Sequence, residues 1–180
     1  MNIAVIGTGN VGRTLGEALS SAGHTVTYGS RGQEGSVAAS LATADAVIVA
    51  IPGDAVPSFA GEHADALTGK VVVDATNTFG GGPLHSAAAF APGTRYVRAF
   101  NALGWENFEN PVFDGGVADL LFSCEESERK TAETLIRDVG LNPVHLGAGQ
   151  YDVLDGLFFL WFALVNSQGR GRHLAVKVLL

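Results

Sequence analysis

The feature that most constrains the fold is a glycine pattern, Gly7, Gly9 and Gly12, which directly follows the apolar run 3–6. The first glycine permits a sharp turn out of a strand, the second lets a ligand approach the backbone, and the third lets the next helix pack closely on the strand. The N-terminus of that helix then presents unpaired backbone N–H groups, which favour an anion such as a pyrophosphate. The pattern therefore predicts a dinucleotide-binding β-α-β unit.

The residues after the turn support this prediction. Apolar side chains recur at helical spacing in Val11, Leu15, Ala18, Leu19 and Ala22. Such a stripe packs one face of a helix on a sheet. The next residues, 25–28, are β-branched or aromatic, which is typical of a second strand. We expect the whole turn to bind the dinucleotide, through Gly7, Thr8, Gly9, Asn10, Val11 and Gly12.

The end of the second strand predicts which dinucleotide is bound. An NAD-selective site places a carboxylate there to bind the ribose 2′-hydroxyl. This chain has Ser30 and Arg31 instead. A hydroxyl and a guanidinium suit a 2′-phosphate, which a carboxylate would repel. The alternative is that Arg31 is an ordinary solvated loop residue, but its position favours NADP(H) as the cofactor.

The remaining pattern predicts a doubly wound, mostly parallel α/β sheet, the Rossmann fold. Apolar strand-like runs at 46–51, 70–73, 96–101 and 117–124 alternate with helical or loop segments. The run 46–51 has no polar residue, which is typical of a central strand buried on both faces. A chain of 180 residues fits one domain. We therefore expect residues 1–180 to form a single domain, with 150–180 as a C-terminal helical extension.

Polar or ligand-facing groups follow each predicted parallel strand. Besides Thr8, Ser30 and Arg31, they are Ile51 and Pro52 after the third strand, Thr76 and Asn77 after the fourth, and Asn101 after the fifth. Open α/β sheets bind ligands beyond the carboxyl ends of their strands, so all of these residues are candidates for contact with the cofactor. For the two asparagines the alternative is a local turn, in which the side chain bonds to its own backbone.

Composition and charge narrow the class of partner. The net charge of −7 and the pI near 5.1 argue against nucleic acid or an anionic membrane surface as the main partner. The single cysteine, Cys124, permits no internal disulfide, as expected of a protein in the reducing cytoplasm. The most apolar run, 157–165, is far shorter than the roughly 20 residues of a membrane-spanning helix. The N-terminus also has no basic signal region, so we expect a soluble, cytoplasmic protein.

The predicted C-terminal helix has almost no polar face. Its apolar residues are Val153, Leu154, Leu157, Phe158, Phe159, Leu160, Trp161, Phe162, Leu164 and Val165. A helix that is apolar on all sides needs cover on all sides. The sequence therefore predicts homodimerisation through this helix, and packing of the helix on its own domain is the alternative.

The sequence contains no recognisable catalytic side chain and no metal-binding motif. The histidines His24, His63, His85, His145 and His173 lack metal-ligand spacing. No tyrosine has a lysine four residues later, and no serine lies in a nucleophile elbow. Reduction of a ketone needs a proton donor, whereas hydride exchange between a nicotinamide and a flavin-like ring mainly needs the two rings to be stacked and oriented. The pattern favours hydride exchange between cofactors.

An aromatic stretch at 103–115 follows the fifth predicted strand. It carries Trp105, Phe108 and Phe113 among acidic and amide residues. Aromatic residues in a loop beyond the nicotinamide end are suited to form a wall against a flat second substrate. The alternative is that they anchor the loop on the core.

Several of these motifs resemble a known family. They are residues 6–12 (IGTGNVG), 22–24 (AGH), 29–31 (GSR), 73–77 (VDATN) and 98–101 (RAFN). The chain resembles the NADPH-dependent reductases of the deazaflavin coenzyme F-420, the coenzyme F-420:NADP oxidoreductase family. The resemblance implies a homodimer in which Thr8, Ser30 and Arg31 hold the NADP phosphates. It also implies that the deazaflavin lies across the nicotinamide near the carboxyl end of the sheet.

Three functions follow for testing. The first is an NADP(H)-dependent oxidoreductase that transfers a hydride between NADPH and coenzyme F-420 or a similar acceptor. The second is reduction of an imine or another small electrophile by the same bound NADPH. The third is a non-catalytic NADP-binding redox sensor. Turnover of NADPH with F-420, flavins or imines distinguishes the first two from the third.

Overall fold

The computed structural model describes residues 1–179. Its first unit is β1 (Asn2–Ile6), α1 (Asn10–Ser21) and β2 (Thr25–Gly29), so the predicted β-α-β unit is confirmed. The turn after β1 needs glycine at two positions. Gly7 has a φ of +114°, and a Cβ there would lie 2.3 Å from the carbonyl oxygen of Ala50. A Cβ on Gly12 would lie 2.2 Å from the carbonyl oxygen of Gly7, so this glycine lets α1 approach the turn.

The chain then alternates between short helices and strands. The next elements are α2 (Ser36–Ala42), β3 (Ala46–Val49), α3 (Val56–Glu62), α4 (Ala64–Leu67), β4 (Val71–Asp74) and β5 (Arg95–Arg98). They are followed by α5 (Glu106–Glu109), β6 (Val112–Phe113), β7 (Gly116–Val117), β8 (Asp119–Cys124), α6 (Glu126–Asp138), β9 (Asn142–His145) and α7 (Tyr151–Phe162).

Within residues 1–179, seven strands form one sheet in the order β2-β1-β3-β4-β5-β8-β9. Strands β1 to β5 are parallel to one another, β8 is antiparallel to β5, and β9 is parallel to β8. The predicted mostly parallel Rossmann-type sheet is therefore confirmed. In the register of the sheet, Ile6 pairs with Gly29 and Val49, Val49 with Asp74, and Asp74 with Arg98. The carboxyl ends of β1 to β5 thus lie along one edge.

The core lies on both faces of this sheet. Alternate residues of β1 point to opposite sides, as the period of two in a strand requires. Ile3 packs in the same cluster as Leu15 of α1, whereas Ala4 packs in the opposite cluster with Leu41 of α2. All four residues of β3 are buried, which confirms the predicted central strand, although it ends at Val49 and the predicted run 46–51 is two residues too long. Covering helices on both faces explain why these strands are almost entirely apolar.

Helix α7 packs on the domain along one side and is open along another. Phe158 and Trp161 are buried, while Phe159 and Phe162 are each about half exposed. Packing of α7 on its own domain, the alternative drawn from the sequence, therefore accounts for part of its apolar surface. Among residues 1–179, no helix combines the length and the apolarity that crossing a bilayer requires.

The prediction of a helical extension over 150–180 is wrong for residues 168–179. A π-helical turn at Ala163–Ser167 follows α7, and residues 168–179 contain no helix. Gly169 and Gly171 have φ values of +62° and +80°, which a right-handed helix does not allow. The segment 168–179 instead runs across the domain, where the backbone N–H of Val178 donates to Asp119 Oδ2 at 2.7 Å. Residue 180 lies outside the described residues.

Candidate functional site: a crevice at the strand ends

A cavity of about 580 Å³ opens at the carboxyl ends of β1, β2 and β3. Its walls are the turn 7–9 after β1, the segment 29–32 at the end of β2, and residues 50–52 after β3. Helix α3 and the residues directly before and after it contribute Ala55, Ser58, Phe59, Glu62 and His63, and Ile6 and Val37 also line the cavity. We call this cavity the crevice. It lies where the sequence predicted the dinucleotide.

The fold brings seven of the predicted site residues together in the crevice. They are Gly7, Thr8, Gly9, Ser30, Arg31, Ile51 and Pro52. The other three residues of the glycine turn, at 10–12, do not line it. Asn10 accepts a hydrogen bond from Arg13 at 3.4 Å, and Val11 packs against the core. Gly12 faces the carbonyl of Gly7. That residues 10–12 contact the dinucleotide stays a prediction. They could do so through the backbone N–H groups of the first helical turn, which have no partner inside the helix.

The floor of the crevice is suited to an anion. Helix α1 begins directly after Gly9, and no side chain caps this helix within the described residues. Its first backbone N–H groups therefore have no side-chain partner within the described residues, and they lie at the positive end of a twelve-residue helix that begins next to Gly9 in the crevice wall. A Cβ built on Gly9 would meet no atom within 4 Å, and the φ of Gly9 is −72°. The absence of a side chain at Gly9 thus leaves open space that is available to a ligand.

The corner after β2 combines a fixed loop with an unpaired cation. The backbone N–H of Ser30 donates to the hydroxyl of Ser36 at 3.0 Å, and the same hydroxyl lies 2.7 Å from the carbonyl oxygen of Gln33. These bonds hold the loop 30–36 against the start of α2. Arg31 is exposed and forms no salt bridge to any residue within 1–179. The corner therefore offers a guanidinium to an anionic ligand.

The strand ends beyond β3 are closed rather than open. A buried network occupies them, formed by Asp74, Thr76, Asn77, Arg98 and Asp155. The side chain of Arg98 is fully buried. It donates to Asp155 Oδ1 at 2.8 Å and to Asn77 Oδ1 at 3.0 Å, and its Nη1 lies 3.3 Å from Asp74 Oδ2. Arg98 thus joins β4, β5 and α7.

The Asp74 carboxylate accepts several further hydrogen bonds. Its donors include the hydroxyls of Thr76 and Tyr96, each at 2.6 Å, and the backbone N–H of Ser86 at 2.9 Å. Burial raises the pKa of Tyr96 far above its ordinary value, and the negative charge of Asp74 adds to this effect. The phenol therefore stays protonated and continues to donate. These bonds compensate for the burial of the Asp74 charge.

The last three predicted site residues are Thr76, Asn77 and Asn101, and none of them lines the crevice. Thr76 and Asn77 belong to the buried network, and Asn101 lies beside it. The hydroxyl of Thr76 bonds to Asp74, and the amide of Asn77 bonds to Arg98 and, at 2.9 Å, to the carbonyl oxygen of Asn101. The amide of Asn101 donates to the carbonyl of Leu154 at 3.3 Å. The alternative of a local turn, in which each asparagine side chain bonds to its own backbone, is wrong, because these hydrogen bonds join residues far apart in the sequence. Ligand contact by these three residues stays a prediction.

The network also holds the loop that follows β4. Asp155 of α7 accepts the backbone N–H groups of Leu84 at 2.8 Å and of His85 at 3.1 Å. His85, Asp152 and Asp155 bring possible metal-ligand atoms within 4.8 Å of one another, although their spacing in the sequence gave no such signal. Because Asp155 is already paired with Arg98 and two N–H groups, its role in the structure is that of an anchor for loop and helix.

The aromatic stretch at 103–115 is anchored on the domain. Phe108 is buried, and its ring lies 5.5 Å from the ring of Phe100 in an edge-to-face arrangement. Phe113 stacks on His173 with ring centroids 4.2 Å apart. Neither ring lines the crevice. The structure therefore favours the anchoring alternative for Phe108 and Phe113.

Comparison with known families agrees with the sequence motifs. The family model described as NADP oxidoreductase, coenzyme F420-dependent, matches residues 2–78. This segment contains β1 to β4 and all residues that line the crevice. The resemblance stated from the sequence is thereby confirmed for this segment, and the match supports an NADP-dependent oxidoreductase.

Solved structures share the fold along nearly the whole chain. A protein from Arthrobacter sp. FB24, provisionally assigned as an F420-dependent NADP-reductase, is 23% identical, with a TM-score of 0.83 and coverage of 100% of both chains. The hypothetical protein SMa0349 from Sinorhizobium meliloti is also 23% identical, with a TM-score of 0.68 over 84% of this chain and 87% of that one. An imine reductase from Streptomyces aurantiacus is 15% identical, with a TM-score of 0.67 over 91% of this chain and 61% of that one. These likenesses show a common Rossmann-type fold.

Proposed function

We propose that this protein is an oxidoreductase that binds NADP(H) in the crevice and transfers a hydride between NADPH and the deazaflavin coenzyme F-420 or a similar acceptor. The observation that carries the proposal is the geometry of the crevice. It brings together at one cavity the uncapped start of α1, the space beside Gly9, and Arg31, which forms no salt bridge within residues 1–179.

The residues of the crevice suit the parts of NADP(H) in order. Backbone N–H groups at the start of α1 and in the turn at Gly9 would hold the pyrophosphate, whereas the N–H of Gly7 already donates to the carbonyl oxygen of Gly29 at 2.9 Å. Ser30 and Arg31 would hold the 2′-phosphate, to which a guanidinium makes a strong, charge-assisted contact. Ile51 and Pro52 line the crevice on the β3 side, toward β4. The nicotinamide ring would lie beyond them, and the bound nucleotide would supply the hydride.

The acceptor is assigned from chemistry and from the comparisons together. Within residues 1–179, the ionisable side chains that line the crevice are Arg31, Glu62 and His63. Glu62 and His63 belong to the α3 side, away from the expected nicotinamide position. Hydride transfer between two rings needs close and correct orientation more than a proton donor. The matching family and the Arthrobacter protein are both described as F420-dependent, which favours a deazaflavin as the second ring.

Reduction of an imine is the second candidate, because an imine reductase shares the fold. This reaction requires a proton at the nitrogen, and the crevice offers no carboxylate, histidine or tyrosine on its β3 side among the described residues. Oxidation of NADPH measured with F-420, with flavins and with cyclic imines separates the two reactions. Binding of NADPH without turnover of any of them would instead support the redox-sensor function.

We also propose a homodimer that covers α7. The side chains of Phe159, Leu160 and Phe162 are 55%, 47% and 47% exposed, and they are adjacent on the helix. Exposed apolar surface of this kind is typical of an interface. Sedimentation equilibrium should give twice the chain mass, and Phe159→Glu should shift the protein toward the monomer.

The substitution Arg31→Ala tests the cofactor assignment. Loss of a charge-assisted contact to the 2′-phosphate should weaken NADPH binding by about 1.5–3 kcal/mol, whereas NADH binding should hardly change. Calorimetric titration of both nucleotides measures this difference. Arg129→Ala, an exposed arginine on α6 that is remote from the crevice, is the matched control. An equal loss for NADPH and NADH would reject the role of Arg31.

A further inference from the structure

The crevice extends past the phosphate-binding residues to α3. Ser58, Glu62 and His63 line it there, together with the apolar side chains of Phe59 and Val37. No part of the proposed phosphate binding uses these residues. A carboxylate in a pocket for a ligand with several phosphates needs its own explanation, because like charges repel.

The expected positions of the two phosphate sites along the crevice put Glu62 near the adenine base of the nucleotide. If the pyrophosphate lies at Gly9 and the 2′-phosphate at Arg31, the adenine is the remaining part of this half of the nucleotide. Adenine carries no charge and presents one exocyclic amino group as a hydrogen-bond donor. A carboxylate is purely an acceptor, so this amino group is its suitable partner.

The surroundings of Glu62 suit an aromatic base. The rings of Phe59 and His63 lie 5.4 Å apart at 52°. Together with Val37 they give this end of the crevice aromatic and apolar surface against which a flat ring can pack. The hydroxyl of Ser58, one turn earlier on α3, donates to Glu62 Oε1 at 3.1 Å. This bond orients the carboxylate and leaves Oε2 to accept from a ligand.

We propose that Glu62 is a specificity-determining residue that recognises the adenine of the nucleotide by accepting a hydrogen bond from its exocyclic amino group. The inference rests on the proposed binding of NADP(H) in the crevice. It adds a base-recognition site on α3 to the phosphate sites on β1 and β2.

The test compares NADPH with its analogue that carries hypoxanthine in place of adenine. In the analogue a carbonyl oxygen replaces the amino group, so an acceptor would face the Glu62 carboxylate. Calorimetric titration of the wild type should show binding of NADPH about tenfold tighter than binding of the analogue. In Glu62→Gln the ratio should fall to about twofold, because an amide can turn to donate to the carbonyl. Asp65→Asn removes an exposed carboxylate on α4 outside the crevice and should keep the wild-type ratio.

The outcomes separate this inference from the proposed function. The same ratio of affinities in the wild type and in Glu62→Gln would overturn recognition by Glu62, while tight binding of NADPH in both would leave the cofactor assignment intact. Failure of the wild type to bind NADPH at all would overturn both. A ratio that narrows only in Glu62→Gln supports the inference.

Discussion

The two halves of the sheet's carboxyl edge differ although their sequences look alike. Polar or glycine residues lie within three positions after the ends of β1, β2, β4 and β5. Yet the ends of β1 to β3 open into the crevice, whereas the ends of β4 and β5 close into the buried network. The cause is what covers each half. The loop after β4 and helix α7 lie over the second half, where Asp155 bonds to the loop and to Arg98. A polar residue at a strand end is therefore accessible to a ligand only where no other element covers it.

The largest expected effect comes from removal of the cation at the centre of the closed half. Arg98→Met would leave the carboxylates of Asp74 and Asp155 buried without their shared partner. Breaking a buried ion pair in this way costs about 3–5 kcal/mol, so the free energy of unfolding should fall by that amount. Urea denaturation followed by circular dichroism measures the change.

The control for Arg98→Met is Arg137→Met, which removes an exposed arginine paired with Glu133 on the same helix. Its unfolding midpoint should stay close to that of the wild type, because exposed ion pairs contribute little. A similarly small effect of Arg98→Met would show that the closed half does not depend on this network.

The next effect belongs to the open half. A side chain at Gly9 meets no protein atom but would occupy the space for the pyrophosphate. Gly9→Val should therefore weaken NADPH binding by tenfold or more, while the free energy of unfolding falls by about 1 kcal/mol, the typical cost of a change at a helix N-cap. Fluorescence titration with NADPH and urea denaturation give the two quantities.

Gly80→Val is the matched substitution in the closed half. A Cβ at Gly80 also meets no atom within 4 Å, but this residue does not line the crevice. It should leave both NADPH affinity and stability near their wild-type values. Unchanged affinity in Gly9→Val would show that the turn is not the pyrophosphate site.

The smallest expected change in stability concerns a partly exposed ion pair, which contrasts with the buried ion pairs of Arg98. Arg95, whose side chain is 42% exposed, donates to Glu128 at 2.8 Å. Burial acts to raise the pKa of Glu128, but hydrogen bonds from Ser127 and Arg95 outweigh it and lower the pKa below its ordinary 4.5. A carboxyl group whose pKa is lower in the folded state stabilises the protein at pH values above its ordinary pKa. This contribution is lost as the pH falls through the pKa of the folded state.

Glu128→Gln should therefore be modestly less stable than the wild type at pH 7, and the difference should shrink as the pH falls below 4.5. Thermal unfolding at a series of pH values measures it, with Asp65→Asn as the control for an exposed carboxylate. A difference that grows at acid pH would contradict the ion-pair assignment.

Local patterns predicted the open half well. The glycine spacing gave the β1-α1-β2 unit, and the residues after β2 gave the corner at Ser30 and Arg31, because both depend on neighbours in the sequence. The parallel sheet also followed from the alternation of strands and helices.

Contacts between residues far apart in the chain could not be predicted from local sequence patterns. Arg98 and Asp155 are 57 residues apart, and no local spacing indicates that they pair. The strand predicted to run to residue 101 is too long, because β5 ends at Arg98. Two residues later the chain turns at Phe100, the one non-glycine residue with positive φ within 1–179. Helical periodicity likewise does not show that the chain stops being helical after residue 167. The segment 168–179 is held by hydrogen bonds to residues 106–119, which are distant in the sequence.

A crystal structure of the protein soaked with NADP is the most direct test of the account. We predict that the pyrophosphate lies against the turn at Gly9 and the start of α1, with the 2′-phosphate within hydrogen-bond distance of Ser30 and Arg31. Nucleotide density at another place on the molecule, or density in the crevice with no contact between the 2′-phosphate and Arg31, would contradict it.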